Sequence, residues 1–581
     1  MKVRKISGVM LGMLITGSVL VACKEEFLDQ QPIGALTENV LKTEAGIKGL
    51  LIAAYSLLDG TGSVTNNWEA AGSNFVFGSI ASDEAHKGSD PSDQVPMLII
   101  ERYETLPSTG YLNQKWRTLY DGIARANDVL RLMKDVPNMT DQAKARVAAE
   151  ARFLRAHYHF DARKIFEKVP YVDEMTVNIN DINTAKVAND KEVWPMIEAD
   201  FQFAIDNLPE TQSEVGRANK SAAKAYLAKV YMYQEKFAEA LPLLNEVIAS
   251  GKTPIGAPYA LVNDFSRIYE IANKNNEEVV FGYQSSVNDG SAAVNANSSE
   301  VLNFPNGGGA PGGCCGFFQP TQNLVNSYKV DANGLPLLDT FNESDLKNDD
   351  GIKTADPFTP DRTTPVDPRL DFTVGRRGVP YYDWGLHPGS LWIRNQTQMG
   401  PYSPKKKVYR KSDVGQYTDG SSWTPGYNAQ VHAIIRFADV LLMAAEAEAE
   451  VGSLARATEL VNRVRARAAN ESAFVKLDNG QLAANYKIGQ YPTFASQDFA
   501  LKAIRFERKL ELAMEGDRFF DLVRWGIAAP TLNKYLDETE RPYLQGARFT
   551  EGQDEYYPIP EQQIVLSQVN GVSVLQPNRN K

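Results

Sequence analysis

The stretch SAAKAYLAKVYMYQEKFAEALPLLNEVIASG, residues 221–251, decides the fold because its apolar residues recur at helical spacing on both sides of one polar turn. A period of about 3.6 residues predicts two amphipathic helices, separated near Gln234 to Lys236. Gly251 is placed to end the second helix, and Pro242 predicts a kink within it. The residues expected to be buried are Ala223, Leu227 and Val230 in the first helix and Phe237, Leu241, Leu244 and Ile248 in the second.

The same pattern recurs along the chain, which predicts a mostly α fold. Residues 434–468 form a second helix pair around Gly452, with Leu441, Ala445, Leu460 and Val464 as core candidates. Single long helices are predicted over 143–166 and 497–516. Small alanines at the helix crossings favour close packing, as in tetratricopeptide repeats, and such pairs bury a continuous core only by stacking on neighbours.

A different composition separates these helical regions. Residues 251–430 are rich in Gly, Pro, Asn and Asp, with short β-prone stretches, and residues 59–90 resemble them within the first helical region. We therefore divide the chain into an N-terminal helical region (23–250, with the loop 59–90), an irregular ligand lobe (251–430) and a C-terminal helical region (431–581). Because surface loops carry binding residues more often than scaffolds do, function is expected where loop and lobe meet.

Charge excludes one class of partner. The 581 residues contain 72 Asp and Glu against 61 Lys and Arg, a formal charge of -11. Nucleic-acid binding depends on basic patches that displace counterions from phosphates, so no nucleic-acid partner is predicted. The short run Lys405–Lys407 is interpreted as a solvated loop.

The N-terminus predicts export. Residues 1–22 combine Lys2, Arg4 and Lys5 with an apolar stretch too short to span a membrane, as in a signal peptide. Leu20-Val21-Ala22-Cys23 resembles the bacterial lipobox, which implies cleavage before Cys23 and lipidation of its sulfur. A plain signal peptide with an incidental cysteine is the alternative.

Several segments together resemble the SusD/RagB family of outer-membrane nutrient-binding lipoproteins of Bacteroidetes. They span nearly the whole mature chain in the family's order. They are CKEEFLDQQP, WRTLYDGIARANDVL, AEARFLRAHYHFDARKIFEKVPYV, NNEEVVFGYQ, DPRLDFTVG, RFADVLLMAAEAEAEVG, IRFERKLELAMEGDRFFDLVRWG and YYPIPEQQI.

The resemblance implies tetratricopeptide-like helix pairs in a right-handed scaffold that supports an irregular ligand lobe. It also implies a SusC-like, TonB-dependent transporter as partner, capped by the lipoprotein as a lid. The usual cargo is an oligosaccharide, more rarely a peptide. Lys24-Glu25-Glu26 is similar to the signal that sends such lipoproteins to the cell surface, so a lipid-anchored protein exposed at the outer membrane is expected.

The sequence does not predict catalysis, a cofactor or a metal site. The five histidines lack zinc-ligand spacing, and the glycine run 307–309 lacks the residues of a phosphate loop. Glu507, Glu511 and Glu515 lie four residues apart, with Arg505, Arg508 and Arg518 interleaved, which favours a bridged structural stripe over a catalytic pair. A glycosidase needs only two carboxylates, so a surface glycoside hydrolase stays open as an alternative, beside a peptide-binding protein.

Sugar binding requires flat apolar side chains for the ring face and fixed polar groups for the hydroxyls. These residue types concentrate in the two loop regions, and each aromatic could instead belong to the core. The predicted ligand-binding residues are Asp59, Trp68 and Asp83 in the first region and Trp384, Arg394 and Tyr427 in the second.

Two adjacent cysteines complete the predicted site. Cys314 and Cys315 lie among glycines and precede Phe317 and Phe318. In an oxidising compartment they can form a disulfide, although free thiols remain the alternative. Such a bond closes a minimal loop and constrains the unfolded chain little, so we hypothesise a rigid apolar surface on which a sugar ring stacks.

Overall fold

The computed structural model describes residues 38–62, 67–178 and 180–578. The predicted signal peptide, the lipidation site Cys23 and the acidic signal that follows it lie outside these residues. No described helix is both long enough and apolar enough to cross a membrane.

Helices build the N-terminal part of the described chain. From Gly110–Leu132 onward each helix packs on the next one in sequence, Glu44–Tyr55 packs on Gly110–Leu132, and the helices bury a shared apolar core. The helices are α1 (Glu38–Leu41), α2 (Glu44–Tyr55), α3 (Val95–Glu101), α4 (Gly110–Leu132), α5 (Asp141–Phe166), α6 (Trp194–Asn207), α7 (Lys220–Met232) and α8 (Phe237–Ser250).

The predicted helix pair is present as α7 and α8. Asn219 caps α7 by accepting a hydrogen bond from the Ala222 N–H at 2.8 Å, and α8 ends at Gly251 as expected. All three residues predicted for the first helix are buried. In α8 the buried face is rotated: Leu244 is buried with Ala240 and Val247, whereas Phe237, Leu241 and Ile248 are only partly buried because α8 lies at the edge of the core.

The C-terminal part repeats this arrangement. Its helices are α12 (Phe437–Val451), α13 (Leu454–Ala468), α14 (Gln497–Glu511), α15 (Arg518–Arg524), α16 (Ala528–Glu538) and α17 (Glu561–Leu566). The four core candidates of α12 and α13 are fully buried. The prediction of a mostly helical chain built from helix pairs is therefore confirmed.

The middle of the chain is irregular, with three short helices: α9 (Gln322–Ser327), α10 (Leu370–Thr373) and α11 (Gln396–Met399). The strands pair in twos. They are β1 (Ala85–Gly88), β2 (Val279–Tyr283), β3 (Phe317–Pro320), β4 (Pro365–Val366), β5 (Val374–Gly375), β6 (Ser403–Pro404), β7 (His432–Arg436), β8 (Asn485–Tyr486), β9 (Gln568–Val569) and β10 (Val572–Ser573).

Two of these ribbons tie the irregular region to the helices. β2 pairs with β7, which runs directly into α12. β1, from the N-terminal loop, pairs antiparallel with β3, which follows the cysteine pair, and Gly88 lies opposite Phe317. The ribbon β1–β3 thus brings the two predicted ligand regions together.

A buried ion network holds α14 in place. Arg369 contacts Glu507 and Glu511 at 2.7 and 2.9 Å, Arg436 contacts Glu511 and Glu515, and Arg465 contacts Glu507. Burial opposes the charge of Glu511, but the surrounding arginines hold its pKa well below the ordinary value. The glutamates are structural, as predicted.

The partners of these glutamates differ from the prediction. Two of the interleaved arginines bind other acids: Arg508 contacts Asp439 and Asp521, and Arg518 contacts Asp83. The glutamates instead pair with arginines from three other segments, because each glutamate side chain points into the core rather than along the helix surface.

The lysine run Lys405–Lys407 was expected in a solvated loop, and that prediction is wrong. Lys405 and Lys406 are buried, and Lys406 Nζ donates to the Glu511 carbonyl at 2.7 Å and contacts Glu515. Burial lowers the pKa of Lys405 to about 7 and that of Lys406 to about 8. Composition cannot distinguish such lysines from solvated ones, because their partners are distant in sequence: 25 and 34 residues away for Lys405, and more than 100 residues away for Lys406.

Candidate ligand-binding platform

Trp68 lies in a single 3₁₀ turn, Asn67–Ala70, that other elements hold in place. Its indole Nε1 donates to Gln94 Oε1 at 3.3 Å, and the hydroxyl of Tyr111 in α4 donates to the same oxygen. Asn67 Nδ2 donates to Ser298 Oγ at 2.9 Å. The ring orientation is therefore fixed by residues of both the N-terminal part and the irregular region.

Trp423 stands beside Trp68. The two ring centroids are 6.5 Å apart with the ring planes at 72°, an edge-to-face arrangement. The Trp423 Nε1 donates to the hydroxyl of the buried Tyr427 at 3.0 Å. Trp423 is 56% exposed, an unusual position for a large apolar ring, so its face is available to a ligand.

Sequence reasoning missed Trp423. It lies four residues before the predicted Tyr427, in SSWTPGYNAQ (421–430). Trp423 lies between two serines and a proline, where no helical or strand periodicity predicts its burial. This context was the signal in the sequence that could have identified an exposed ring.

Cys314 and Cys315 are joined by a disulfide bond. Cys315 is buried against the main core, while Cys314 is partly exposed. Beside them, the Gly316 N–H donates to the Phe304 carbonyl at 2.8 Å and the Phe317 N–H donates to the Leu302 carbonyl at 3.2 Å. The disulfide therefore lies next to a backbone segment that is hydrogen-bonded to residues 302 and 304.

The cysteine loop and the Trp423 loop are in direct contact. Thr424 Oγ1 donates to the Gly312 carbonyl at 3.0 Å, and the Gly312 N–H donates to the Tyr409 hydroxyl at 2.8 Å. Gly312 has φ +71°, and a Cβ there would lie 2.6 Å from Phe304, so glycine is required at this close approach.

Arg394 marks an edge of the same surface. Its guanidinium Nη1 donates to Ser89 Oγ at 2.9 Å and forms an ion pair with Asp93. A Cβ at Gly316 would lie 3.7 Å from the Arg394 Cβ, which places the arginine beside the cysteine loop. We call Trp68, Cys314, Arg394, Trp423 and Tyr427 the aromatic platform.

Three predicted ligand residues lie elsewhere. Asp59 accepts a hydrogen bond from the Thr61 N–H at 2.6 Å, and burial raises its pKa to about 7, so it shapes the start of the Trp68 loop. Trp384 packs on Tyr409 behind the cysteine loop, and its Nε1 donates to the Tyr409 carbonyl at 3.0 Å.

Asp83 is the third. It is buried, and it accepts hydrogen bonds from Lys509 Nζ and Arg518 Nε at 2.9 and 2.8 Å. Burial alone would raise its pKa, but the two cations hold it well below the ordinary value. Asp83 therefore has a structural role and is not part of the aromatic platform.

The platform combines exposed aromatic surface with a fixed charged pair. Flat rings bind the apolar face of a sugar, and the Arg394–Asp93 pair offers a donor and an acceptor for hydroxyl groups. Within the residues described, no group of three or more His, Cys, Asp or Glu side chains is arranged to hold a metal ion.

Relatives of the chain share this fold along most of its length. SusD-like protein P25 of Formosa agariphila is 23% identical over 525 residues, covering 87% of each chain. The starch-binding protein SusD of Bacteroides thetaiotaomicron is 25% identical over 451 residues, covering 73% of this chain and 71% of the relative. A solved laminarin-binding SusD-like protein superposes with a TM-score of 0.65 at 25% identity, covering 93% of this chain and all of that one.

Two family models match consecutive parts of the sequence. The model described as "Starch-binding associating with outer membrane" matches residues 26–232, and the model described as "SusD family" matches residues 277–573. The second match alone covers more than half of the chain, and it includes β2, β3 and all of the C-terminal helices. The chain belongs to the SusD family.

Proposed function

We propose that this protein binds oligosaccharides on the aromatic platform without altering them and delivers them to a TonB-dependent outer-membrane transporter. The observation that carries the proposal is the exposed Trp423, fixed edge-to-face against Trp68 and hydrogen-bonded to Tyr427. An immobile, exposed ring loses little entropy when a sugar stacks on it.

The arrangement of carboxylates favours binding over hydrolysis. A glycosidase requires one carboxyl group that carries a proton near neutral pH and a second that is ionised, facing each other across the ligand. At the platform edge, Asp93 is ion-paired with Arg394, an arrangement suited to accepting hydrogen bonds from hydroxyls. The glutamates of α14, Glu507 and Glu511, are buried in ion pairs with arginines.

The relatives support a glycan as the cargo. Two proteins that match most of this chain are described as binding starch and laminarin, both of which are glucose polymers. The family also supports the partner and the location: a SusC-like transporter that the protein covers as a lid, and a lipid anchor on Cys23 that holds it at the cell surface. The matched description of association with the outer membrane agrees with that location.

Calorimetric titration with a panel of malto- and laminari-oligosaccharides tests the proposal. We expect saturable binding to at least one of them, and Trp423→Ala should weaken it about tenfold or more, since an interfacial aromatic anchor contributes about 2 kcal/mol. Trp384→Phe is the matched control, because Trp384 packs behind the platform and should leave affinity unchanged.

Other outcomes would contradict the proposal. Binding of peptides in place of every glycan would assign the platform to peptide uptake. Accumulation of reducing ends during incubation with the ligand would make the protein a glycoside hydrolase. Equal losses in Trp423→Ala and Trp384→Phe would place the ligand elsewhere.

A further inference from the structure

A second cavity, separate from the aromatic platform, opens between α14, α16 and the segment 338–341. Its volume is about 500 Å³, within the ~300–1,000 Å³ typical of small-molecule sites. None of the five platform residues lines it.

The floor of this cavity is polar and rigid. Asp83 is shared by Lys509 and Arg518, and Lys509 Nζ also donates to Asn323 Oδ1 at 2.6 Å. Lys509 is buried and lies over the ring of Phe341, 4.8 Å from its centroid. At the floor of the cavity, Lys509 and Arg518 therefore both form ion pairs with the carboxylate of Asp83.

One wall is apolar. Phe341 and Phe506 contact each other edge-to-face with centroids 5.4 Å apart, and the partly buried Leu338 and Ile527 extend this surface. A ligand that fills the cavity must therefore present an apolar face as well as polar groups.

Arg505 provides the opposite wall. Its guanidinium lies over the ring of Trp525 at 5.2 Å, and Trp525 is fixed by an Nε1 hydrogen bond to Glu446 at 2.7 Å. The Arg505 Nε is buried and donates no hydrogen bond to any residue in the described part of the chain. Arg505 forms no direct ion pair with a described residue, and the charge of Glu450 acts on it only from a distance. A guanidinium that is oriented by stacking and has no bonded carboxylate is suited to binding an oxyanion.

The other cations that line the cavity are held in ion pairs, so within the described residues Arg505 is the lining cation without one. Lys502 is paired with Asp339, and Lys534 lies 3.8 Å from Glu538, whose carboxylate also accepts a hydrogen bond from Asn342. Asp498 is exposed at the rim. The cations that line the cavity are Lys502, Arg505, Lys509, Arg518 and Lys534, against the anions Asp83, Asp498 and Glu538.

We propose that this cavity binds a compact organic oxyanion of sugar size, a uronate or a sugar sulfate, with its acidic group on Arg505 and its apolar face on Phe341. The site goes beyond oligosaccharide capture on the platform, and it would give the protein a second, charge-selective position for a free acidic sugar or for the acidic end of a chain. Either source presents the same group to Arg505.

Titration of the whole protein with D-glucuronate, D-glucose, D-glucose 6-sulfate and inorganic sulfate tests the site. We expect D-glucuronate or the sugar sulfate to bind at least tenfold more tightly than D-glucose and inorganic sulfate. Arg505→Gln should weaken that binding at least tenfold, and Arg505→Lys should weaken it less. A glucuronate-terminated oligosaccharide that competes with free D-glucuronate would identify a chain end as an additional source.

The matched control is Arg463→Gln, which also removes a guanidinium lying over an aromatic ring, Phe437, but outside the cavity. Affinity should stay unchanged in this variant. If Arg505→Gln fails to fold, Thr531→Phe narrows the cavity from α16 and should reduce affinity equally.

The proposal is overturned if D-glucose binds as tightly as D-glucuronate, if inorganic sulfate binds as tightly as both acidic sugars, or if neither Arg505→Gln nor Thr531→Phe changes affinity. Platform binding is measured separately through Trp423→Ala, so failure of one site leaves the other result intact.

Discussion

Glu84 is a buried carboxyl group next to Asp83 at the start of the ribbon β1–β3. Burial, reinforced by the charge of Asp83, raises its pKa from 4.5 to about 7. The folded state therefore keeps this proton over a pH range in which the unfolded chain has already released it. Stability contributed by the group is present below about pH 4.5 and is lost as pH rises through about 7.

Glu84→Gln should remove this dependence. We expect the free energy of unfolding of the variant, relative to wild type, to rise by up to about 3 kcal/mol between pH 4.5 and 7.5, since one pKa unit corresponds to about 1.4 kcal/mol. Urea denaturation at both pH values measures it, with the exposed Glu551→Gln as control. Parallel pH profiles for wild type and Glu84→Gln would refute the expectation.

The disulfide between Cys314 and Cys315 should matter for binding more than for stability. Because the cysteines are adjacent, the bond closes a minimal loop and restricts the unfolded chain little. The double variant Cys314→Ala, Cys315→Ala should shift the free energy of unfolding by less than about 2 kcal/mol, while oligosaccharide affinity falls several-fold.

Intact mass before and after mild reduction with alkylation establishes the bond in the wild type. Unchanged affinity in the double variant would remove the sulfur pair from the platform.

At the scale of elements, helical periodicity predicted where helices lie better than where they end. The pattern in 497–516 continues to Glu515, yet α14 ends at Glu511. Arg436 Nη2 and Lys406 Nζ both donate to the Glu511 carbonyl at 2.7 Å, and Lys406 also donates to the Ala513 carbonyl. Cations from distant segments therefore provide the hydrogen bonds that the carbonyl groups at the end of α14 require, and no local signal in the sequence marks this end.

The same limit applies to the site. Loop composition indicated Trp68, Arg394 and Tyr427 as ligand residues, because turn residues beside aromatics mark loops, and their contact with a ligand stays a prediction. The ribbon β1–β3 joins segments more than 200 residues apart, so its register could not be predicted from the sequence. For the same reason, the sequence could not show that Asp83 and Trp384 lie outside the platform.

Loss of a buried carboxylate from α14 should destabilise the protein strongly. Glu511 contacts the three buried guanidinium groups of Arg369, Arg436 and Arg467, so Glu511→Gln removes a negative charge that all three share and leaves the buried network with an excess positive charge. We expect a loss of about 3–5 kcal/mol in the free energy of unfolding.

Lys502→Gln, which breaks the exposed ion pair between this helix and Asp339, should cost at most about 1 kcal/mol. Equal effects of the two variants in denaturant titrations would contradict this account of α14.

For the whole molecule, the proposed route to the cell surface begins at Cys23. Metabolic labelling with a radioactive fatty acid should mark the wild-type protein in the outer membrane. Cys23→Ser should abolish the label and release the protein from the membrane, because each buried CH₂ of an acyl chain contributes about 0.8 kcal/mol.

Cys314→Ser is the matched control and should retain the label. A labelled, membrane-bound Cys23→Ser protein would show that the anchor lies elsewhere.

The pairing of β2 with β7 brings the two ends of the irregular segment 284–431 together. Tyr283 and His432 are opposite each other in that ribbon, so the polypeptide leaves the helical scaffold and re-enters it at adjacent points. Lengthening such an excursion costs little, since loop-closure entropy grows only with the logarithm of length. Exposed turns within residues 284–431 can therefore lengthen or shorten among relatives, while Arg369 and Lys406, which contact Glu511 and Glu515, keep the segment fixed to the scaffold.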